Sequence, residues 1–313
     1  MTALLEVSGL VRDYVLARPH PFAAASQLRV LHGIDLAVPA GGSLGIVGES
    51  GSGKSTLARS VLALERPQAG SVRLHGRDLF AMTRRELRAA RRHFQPVFQD
   101  PYGSLDPRHT VGRIIAEPIA ALERGRDAAA RVASMLAAVG LPEAAARRYP
   151  HEFSGGQRQR IAIARALVTS PALVVADEPV SALDVSVQAQ VLNLMLDLQA
   201  QLGLAWLFIS HDLGVVRVIT ARVAVLYRGR IVEEGPTHAV FDAPRHPYTR
   251  ALVDAVPRIG QGRRVRPAAE VVAVPDTGCA YAPRCPGAQP RCTAERPTLT
   301  GDTDRRTACH FPL

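Results

Sequence analysis

A glycine-rich segment early in the chain combines small residues with four hydroxyl groups and the only lysine among the 38 lysine and arginine residues. It reads Gly48-Glu49-Ser50-Gly51-Ser52-Gly53-Lys54-Ser55-Thr56, and the lysine is followed directly by the hydroxyl residues Ser55 and Thr56. Small residues let backbone N–H groups wrap around phosphate oxygens at the start of a helix. Lys54 can supply a point charge to the β- and γ-phosphates, and the Ser55 hydroxyl suits Mg²⁺. The pattern predicts a phosphate-binding loop for ATP and its magnesium ion.

Two acidic residues, Asp177 and Glu178, end an apolar stretch over 173–176 that reads as a central parallel strand. In an α/β sheet the carboxyl ends of strands face the ligand crevice. We expect Asp177 to act on Mg²⁺ and Glu178 to polarise the water that attacks the γ-phosphate.

A second helix start is also rich in small residues. It reads Ser154-Gly155-Gly156-Gln157 and follows Phe153. Such a start presents N–H groups and the Ser154 hydroxyl to an anion, although taken alone it also fits an ordinary serine N-cap. One nucleotide cannot easily use both helix starts of one subunit. A head-to-tail dimer, in which each second start closes on the partner's ATP, is the economical arrangement.

The elements that must position these residues alternate between strand and helix, which predicts an α/β fold. Strand patterns cover 5–14, 28–38, 43–47, 70–74, 94–99, 173–177, 204–209 and 222–233. Helical patterns cover 55–64, 84–92, 111–149 with a stop at Gly140-Leu141-Pro142, 157–169 and 185–202. Thr83 and Glu86 have the spacing of a capping box. A Pro/Ala-rich stretch over 18–25 predicts a loop.

Bulk composition narrows the class of protein. The 313 residues are 47% hydrophobic and 21% charged, and no apolar run reaches the roughly 20 residues that cross a bilayer. The first residues lack the features of a secretory signal, so we expect a soluble, cytoplasmic protein. The net charge of +10 is carried almost wholly by arginine. We interpret that bias as a mutational background, and we expect no nucleic-acid partner.

Together these segments, in this order, resemble the ATPases of ABC transporters over about residues 4–250. The resemblance implies a P-loop NTPase (RecA-like) core with an antiparallel β subdomain and a helical subdomain at about 100–165. It also implies roles for four further residues: Gln99 at Mg²⁺ and in coupling to the membrane domain, Asp184 in the dimer-contact loop, His211 at the γ-phosphate and catalytic water, and Tyr14 stacked on adenine. The ATPase domain would then span 1–255, with a C-terminal extension over 256–313.

Three segments are similar to the oligopeptide/dipeptide importer branch of that family. They run over 99–108, 177–186 and 246–249. The resemblance implies work at the cytoplasmic face of the bacterial membrane, with two permease subunits and an extracytoplasmic solute-binding protein. The second ATPase would be a paralogous subunit or another copy of this chain. The imported solute could also be nickel or an oligosaccharide, because other proteins select it. An ABC ATPase acting on nucleic acid remains a third alternative.

Four cysteines, the only ones in the chain, lie in the extension at Cys279, Cys285, Cys292 and Cys309. A nucleotide-binding protein without a signal works in a reducing compartment, which disfavours disulfides. Four thiolates suit zinc or an iron–sulfur centre, and they can also stay free. The extension resembles that of the peptide-importer branch, which implies a four-iron four-sulfur cluster.

Overall fold

A computed structural model of the chain describes residues 3–16, 26–123, 127–256, 277–302 and 304–313. The predicted loop over 18–25 lies outside them. Among the helices of this part of the chain, none is both long and apolar enough to cross a membrane.

Twelve strands are found in the described residues, and they form two sheets. They are β1 (Ala3–Val15), β2 (Gln27–Pro39), β3 (Ser43–Val47), β4 (Ala69–Leu74), β5 (Arg77–Asp78), β6 (Phe94–Val97), β7 (Leu173–Asp177), β8 (Ala205–Ile209), β9 (Arg222–Tyr227), β10 (Arg230–Pro236), β11 (Thr300–Gly301) and β12 (Arg306–Thr307). A four-stranded antiparallel sheet has the order β2-β1-β4-β5. An eight-stranded sheet has the order β11-β12-β10-β9-β3-β8-β7-β6, with strands β6, β7, β8, β3 and β9 parallel.

Eleven α-helices connect these strands in the described residues. They are α1 (Lys54–Val61), α2 (Arg84–Ala90), α3 (Pro101–Ser104), α4 (Val111–Leu122), α5 (Ala128–Ala138), α6 (Gly155–Leu167), α7 (Val185–Leu202), α8 (Leu213–Ile219), α9 (Thr237–Asp242), α10 (Pro247–Ala255) and α11 (Pro290–Ala294). The helical pattern over 111–149 resolves into α4, α5 and a short 3₁₀ turn. The capping box of Thr83 and Glu86 starts α2 as predicted.

The parallel strands are buried on both faces, which explains their continuous apolar runs. In β7, Val174 and Ala176 face one hydrophobic cluster, shared with helices α4–α8. Leu173 and Val175 face a second, shared with α1 and the antiparallel sheet. The mixed α/β fold with an antiparallel sheet and a helical layer is confirmed. Because β3 and β7 are parallel with β8 between them, the glycine-rich loop and the acidic pair leave the sheet at the same edge.

The C-terminal extension is built onto the main sheet. Strand β12 pairs antiparallel with β10, with Glu233 opposite Thr307 and Glu234 opposite Arg306. The carboxylate of Glu233 is fully buried and pairs with Arg305 at 2.7 Å. The sequence does not reveal that the extension joins the sheet, because strands of two residues have no periodicity to detect. The predicted boundary between 255 and 256 stays a prediction.

Candidate functional site

The glycine-rich loop between β3 and α1 needs its glycines for two different reasons. A Cβ atom on Gly48 would lie 2.1 Å from the carbonyl oxygen of Leu226, so a side chain has no room there. Gly53, the residue before α1, has a φ of +105°, which L side chains rarely adopt. The loop therefore combines close backbone approach with an unusual turn, and it ends in the N-terminus of α1, which favours anions.

Lys54 is buried inside the loop that it terminates. Its side chain is 7% exposed, and Nζ donates to the carbonyl oxygens of Gly48 at 2.7 Å and Glu49 at 3.0 Å. Burial lowers the pKa of Lys54, against the opposing charges of Glu178 and Asp177. An ammonium group removed from water interacts more strongly with an anion than an exposed one. This cation is suited to grip a polyphosphate.

Ser52 adds an unmet hydrogen-bonding group to the same loop. Its Oγ atom is buried and has no hydrogen-bond partner within the described part of the chain. Buried hydroxyl groups in native proteins are almost always satisfied. A phosphate oxygen in the loop would offer Ser52 an acceptor, so the residues present fit a phosphate group.

Asp177 and Ser55 lie near each other at the end of β7. Burial, reinforced by the neighbouring charge of Glu178, raises the pKa of Asp177. The Ser55 hydroxyl lies near the Asp177 carboxylate and opposes the rise in its pKa. A hydroxyl and a carboxylate beside a phosphate loop are the oxygen ligands that Mg²⁺ takes in proteins, where substrate phosphates and water complete its shell. These two residues fit a nucleotide-bound magnesium ion.

Glu178 and His211 come together on adjacent strand ends. Nδ1 of His211, just after β8, lies 2.8 Å from Oε1 of Glu178. The backbone N–H of Glu178 donates to Ile209 at 2.8 Å, and its φ is +49°. This left-handed conformation is costly for a residue with a side chain. A carboxylate held against an imidazole beside the loop can accept a proton from water.

Tyr14 lies at the end of β1, beside the first turn of α1. Its hydroxyl hydrogen-bonds to Glu65 and lies 3.4 Å from Oγ1 of Thr56. The guanidinium of Arg12 covers its ring at 4.6 Å, in the geometry of a cation–π contact. The ring is therefore held in place near the loop, where adenine stacking was predicted.

The second helix start forms a complete capping box at the N-terminus of α6. Oγ of Ser154 accepts from the Gln157 N–H at 3.4 Å, and Oε1 of Gln157 accepts from the Ser154 N–H at 3.0 Å. A Cβ atom on Gly156 would lie 2.3 Å from Val187, so close packing against α7 requires glycine there. Ser154 and Gln157 are exposed. This start sits in the helical layer, whereas α1 packs against the strands.

Gln99 and Asp184 are surface residues in the structure. Gln99 follows β6 and is exposed. Asp184 is the N-cap residue of α7 without a side-chain capping bond, and it is also exposed. Their predicted roles toward a nucleotide stay predictions.

Two residues that contact the loop were not predicted from the sequence to belong to the site. The hydroxyl of Tyr248 accepts from the Glu49 N–H at 2.9 Å, and Arg284 pairs with the Glu49 carboxylate at 2.8 Å. Tyr248 lies in the segment 246–249, which the sequence singled out only as a family marker. Arg284 precedes Cys285 in the extension. No spacing rule connects these residues to position 49, because they lie 199 and 235 residues away along the chain.

The four cysteines all line one cavity of about 340 Å³ between the extension and the start of α10, where His246, Pro247 and Arg250 complete its lining. They are free thiols, and burial raises the pKa of Cys279, Cys285 and Cys309. Within the described ranges, no group of three or more His, Cys, Asp or Glu residues is arranged to hold a metal ion. The predicted iron–sulfur cluster is therefore not supported by the arrangement of these side chains.

Two sequence families match the chain. The ABC transporter family matches residues 31–181, and the oligopeptide/dipeptide transporter C-terminal region matches residues 232–292.

Similar proteins of known name match over nearly the whole chain. The di/tripeptide transport ATP-binding protein DppF of Pseudomonas aeruginosa is 45% identical, with 99% of this chain and 98% of that protein covered. The dipeptide transport ATP-binding protein DppF of Haemophilus influenzae is 44% identical, with 100% and 97% covered. Among solved structures, the dimeric ATP-binding cassette MJ0796 bound to ADP and Pi has a TM-score of 0.65 at 27% identity, with 74% of this chain and 98% of that chain covered.

Proposed function

The chain belongs to the ABC transporter ATP-binding subunits, whose ATPase activity is coupled to transport, and we propose that it powers import of oligopeptides or dipeptides. The observation that carries this proposal is the match of residues 232–292 to the C-terminal region of oligopeptide/dipeptide transporters. Relatives named for dipeptide and di/tripeptide transport, similar from end to end, support the same solute class.

For ATP binding, we propose that residues 48–56 enclose the phosphates and that Tyr14 stacks on adenine. The buried ammonium of Lys54 and the unsatisfied hydroxyl of Ser52 support the first role. The ring of Tyr14, fixed near Thr56, supports the second. In this scheme Lys54 leaves the carbonyl oxygens of its own loop and moves to the phosphates.

For hydrolysis, we propose that Glu178 accepts the proton of the attacking water while His211 orients it. The 2.8 Å contact between the two side chains supports this pairing. Ser55 and Asp177 would hold Mg²⁺, together with Gln99, and the ion would neutralise charge on the β- and γ-phosphates. The proton passes from water to Glu178, and the bond between the γ-phosphate and the β-phosphate oxygen breaks.

The active assembly that we propose is a head-to-tail dimer at the cytoplasmic face of the cell membrane. Each exposed Ser154–Gln157 start would close on the ATP of the partner, with Asp184 at the contact. The partner is a paralogous ATPase or a second copy of this chain. Two permeases would carry the solute, which a solute-binding protein outside the membrane would deliver.

Reconstitution of the transporter would test the solute class. The chain, its permeases and its solute-binding protein in lipid vesicles should take up a labelled dipeptide or tripeptide only with ATP, and Lys54→Ala should abolish uptake. Uptake of nickel or an oligosaccharide, without peptide uptake, would reject the peptide and keep the importer. ATPase activity stimulated by DNA and not by permease would reject the importer itself.

For the thiols, we propose free side chains that share one cavity, and not the four-iron four-sulfur cluster that the resemblance implies, because the described residues offer no group arranged to hold a metal ion. Anaerobic purification followed by iron, sulfide and zinc analysis decides between the outcomes. Iron and sulfide in equal amounts, or bound zinc, would reject free thiols, and the absence of metal supports them.

A further inference from the structure

Glu49, the second residue of the phosphate loop, is held at three points. Its N–H donates to the Tyr248 hydroxyl at 2.9 Å, and its carbonyl oxygen accepts from Lys54 Nζ at 3.0 Å. Its carboxylate receives two parallel hydrogen bonds from Arg284, at 2.8 and 2.9 Å. Bidentate pairs of this kind restrain both partners in orientation as well as in distance. The extension therefore contacts the loop directly.

Arg284 is itself fixed by aromatic side chains. It ends the 3₁₀ turn over 282–284, and its guanidinium lies 5.7 Å from the centre of the Tyr281 ring. The ring of Tyr281 meets Tyr227 edge-on at 5.4 Å and Tyr248 at 5.4 Å. Because Tyr248 also contacts the loop, Arg284 and Tyr248 bind Glu49 from the same cluster of aromatic side chains.

The negative charge of Glu49 is unfavourable for phosphate binding by this loop. A carboxylate near an ATP phosphate repels it, and the repulsion grows where water is partly excluded. The Glu49 side chain is 41% exposed and that of Arg284 is 30% exposed, so screening by solvent is incomplete. Pairing with Arg284 offsets this charge and restrains the orientation of the carboxylate.

We propose that Arg284 is a positioning residue of the ATP site, which neutralises Glu49 and fixes the loop in its phosphate-binding shape. This inference rests on the proposed ATP site at residues 48–56. It assigns to the C-terminal extension a direct part in nucleotide affinity.

Charge variants of the full chain test this inference. Arg284→Gln leaves the Glu49 carboxylate without its arginine, so the Kd for Mg-ATP, and the KM for ATP of the assembled transporter, should rise about three- to tenfold. The kcat should change less than about twofold, because Arg284 does not touch the reacting atoms. Glu49→Gln removes the charge itself and should weaken binding less than Arg284→Gln does.

The double variant Glu49→Gln with Arg284→Gln tests most directly whether Arg284 acts through the charge of Glu49. In the Glu49→Gln background, Arg284→Gln should have little further effect, because no carboxylate remains to be neutralised. Arg284→Lys should restore part of the affinity, since lysine supplies the charge without the two parallel bonds. Arg291→Gln is the matched control: Arg291 also pairs with a glutamate in the extension, Glu295, and both side chains are 58% exposed.

Three results would overturn the inference: an unchanged Kd in Arg284→Gln, an undiminished effect of Arg284→Gln in the Glu49→Gln background, or an equal loss in Arg291→Gln. Lys54→Ala separates this failure from that of the proposed ATP site. If Lys54→Ala abolishes ATP binding while Arg284→Gln has no effect, the site stands and only the role of Arg284 is rejected. If Lys54→Ala binds ATP normally, the proposed site itself fails.

Discussion

The two glycine-rich helix starts differ in what surrounds them. The loop before α1 is enclosed: Lys54 is buried in it, and Tyr248 and Arg284 contact it from distant parts of the chain. The start of α6 is exposed, and the hydrogen bonds of Ser154 and Gln157 that cap it are made to each other. Both have the same local chemistry, small residues at a helix N-terminus.

This difference in surroundings fits two different roles: the enclosed loop would bind the nucleotide, and the exposed start would close on a nucleotide bound by the partner. An enclosed loop has its geometry fixed before the nucleotide arrives, which lowers the ordering cost of binding. In the proposed dimer, the exposed start meets a nucleotide when the partner's surface brings one to it. Sequence patterns alone do not distinguish these cases, because the distinction lies in the neighbours of each start.

The first prediction tests whether the two starts meet at one nucleotide. Glu178→Gln should reduce turnover by about 10²–10⁴ and leave ATP affinity intact, because the general base is lost while the phosphate loop is unchanged. With Mg-ATP the variant should trap a dimer that joins Lys54 of one protomer to Ser154 of the other, measured by size and by crosslinking. Glu143→Gln, an exposed carboxylate, is the control. Normal hydrolysis in Glu178→Gln would refute its assigned role.

The second prediction tests the support of the enclosed loop. Arg305→Ala leaves the buried carboxylate of Glu233 without its cation, which should lower the free energy of unfolding by about 3–5 kcal/mol. Glu233 also accepts from the N–H of His246, two residues before Tyr248. In Arg305→Ala, amide hydrogen exchange should therefore increase more in the loop before α1 than at Ser154.

The neighbouring arginine gives a control for the second prediction. Arg306 pairs with Glu234, and its side chain is 41% exposed. Arg306→Ala should cost about 0–1 kcal/mol. If denaturant unfolding shows equal losses of unfolding free energy in Arg305→Ala and Arg306→Ala, burial of the Arg305–Glu233 pair does not determine its contribution to stability.

The third prediction concerns pH and the same support. Burial lowers the pKa of His246 from 6.5 to about 4, and Nδ1 accepts from the Tyr248 N–H at 3.0 Å. The unfolded chain takes up this proton first as pH falls. Stability should therefore be lost between about pH 6.5 and pH 4, by up to about 3 kcal/mol.

Urea unfolding across that pH range measures the effect. His246→Gln should flatten the dependence on pH, whereas the exposed His151→Gln should leave it unchanged. An unaltered slope in His246→Gln would assign the pH dependence to other groups.

The fourth and smallest prediction concerns the exposed start. Ser154→Ala should leave ATP affinity of the single chain within about twofold and reduce turnover of the assembled transporter about tenfold, because its hydroxyl would act only on the partner's nucleotide. Thr83→Ala removes the same kind of capping box from α2, at a similar cost of about 1 kcal/mol, and should leave turnover unchanged. Weaker ATP binding by the isolated Ser154→Ala chain would contradict the proposal that Ser154 acts only on the partner's nucleotide.

Local signals were sufficient for much of the fold. Continuous apolar runs predicted β3 and β7, and the Thr83 and Glu86 spacing predicted the capping box of α2. These features depend on residues close together in sequence, so pattern and propensity determine them. The meeting of Glu178 and His211 was reached through resemblance to a family, because 33 residues separate them.

Contacts between distant segments could not be predicted in the same way. Tyr248 and Arg284 reach Glu49 only because the extension folds back on the sheet. Arg284 differs in no local way from the many other arginines of the chain. Its role becomes visible only when the tertiary structure places a carboxylate opposite it.

The pairing of β12 with β10 has a consequence for association between copies of this chain. An open strand edge offers unpaired N–H and C=O groups to any other strand that approaches. Two-residue strands with Arg306 cap this side of the eight-stranded sheet, and Pro96 interrupts β6 on the other side. In the described residues, neither margin of this sheet presents a long regular strand with which another copy of the chain could pair. Removal of the last fourteen residues should therefore promote aggregation.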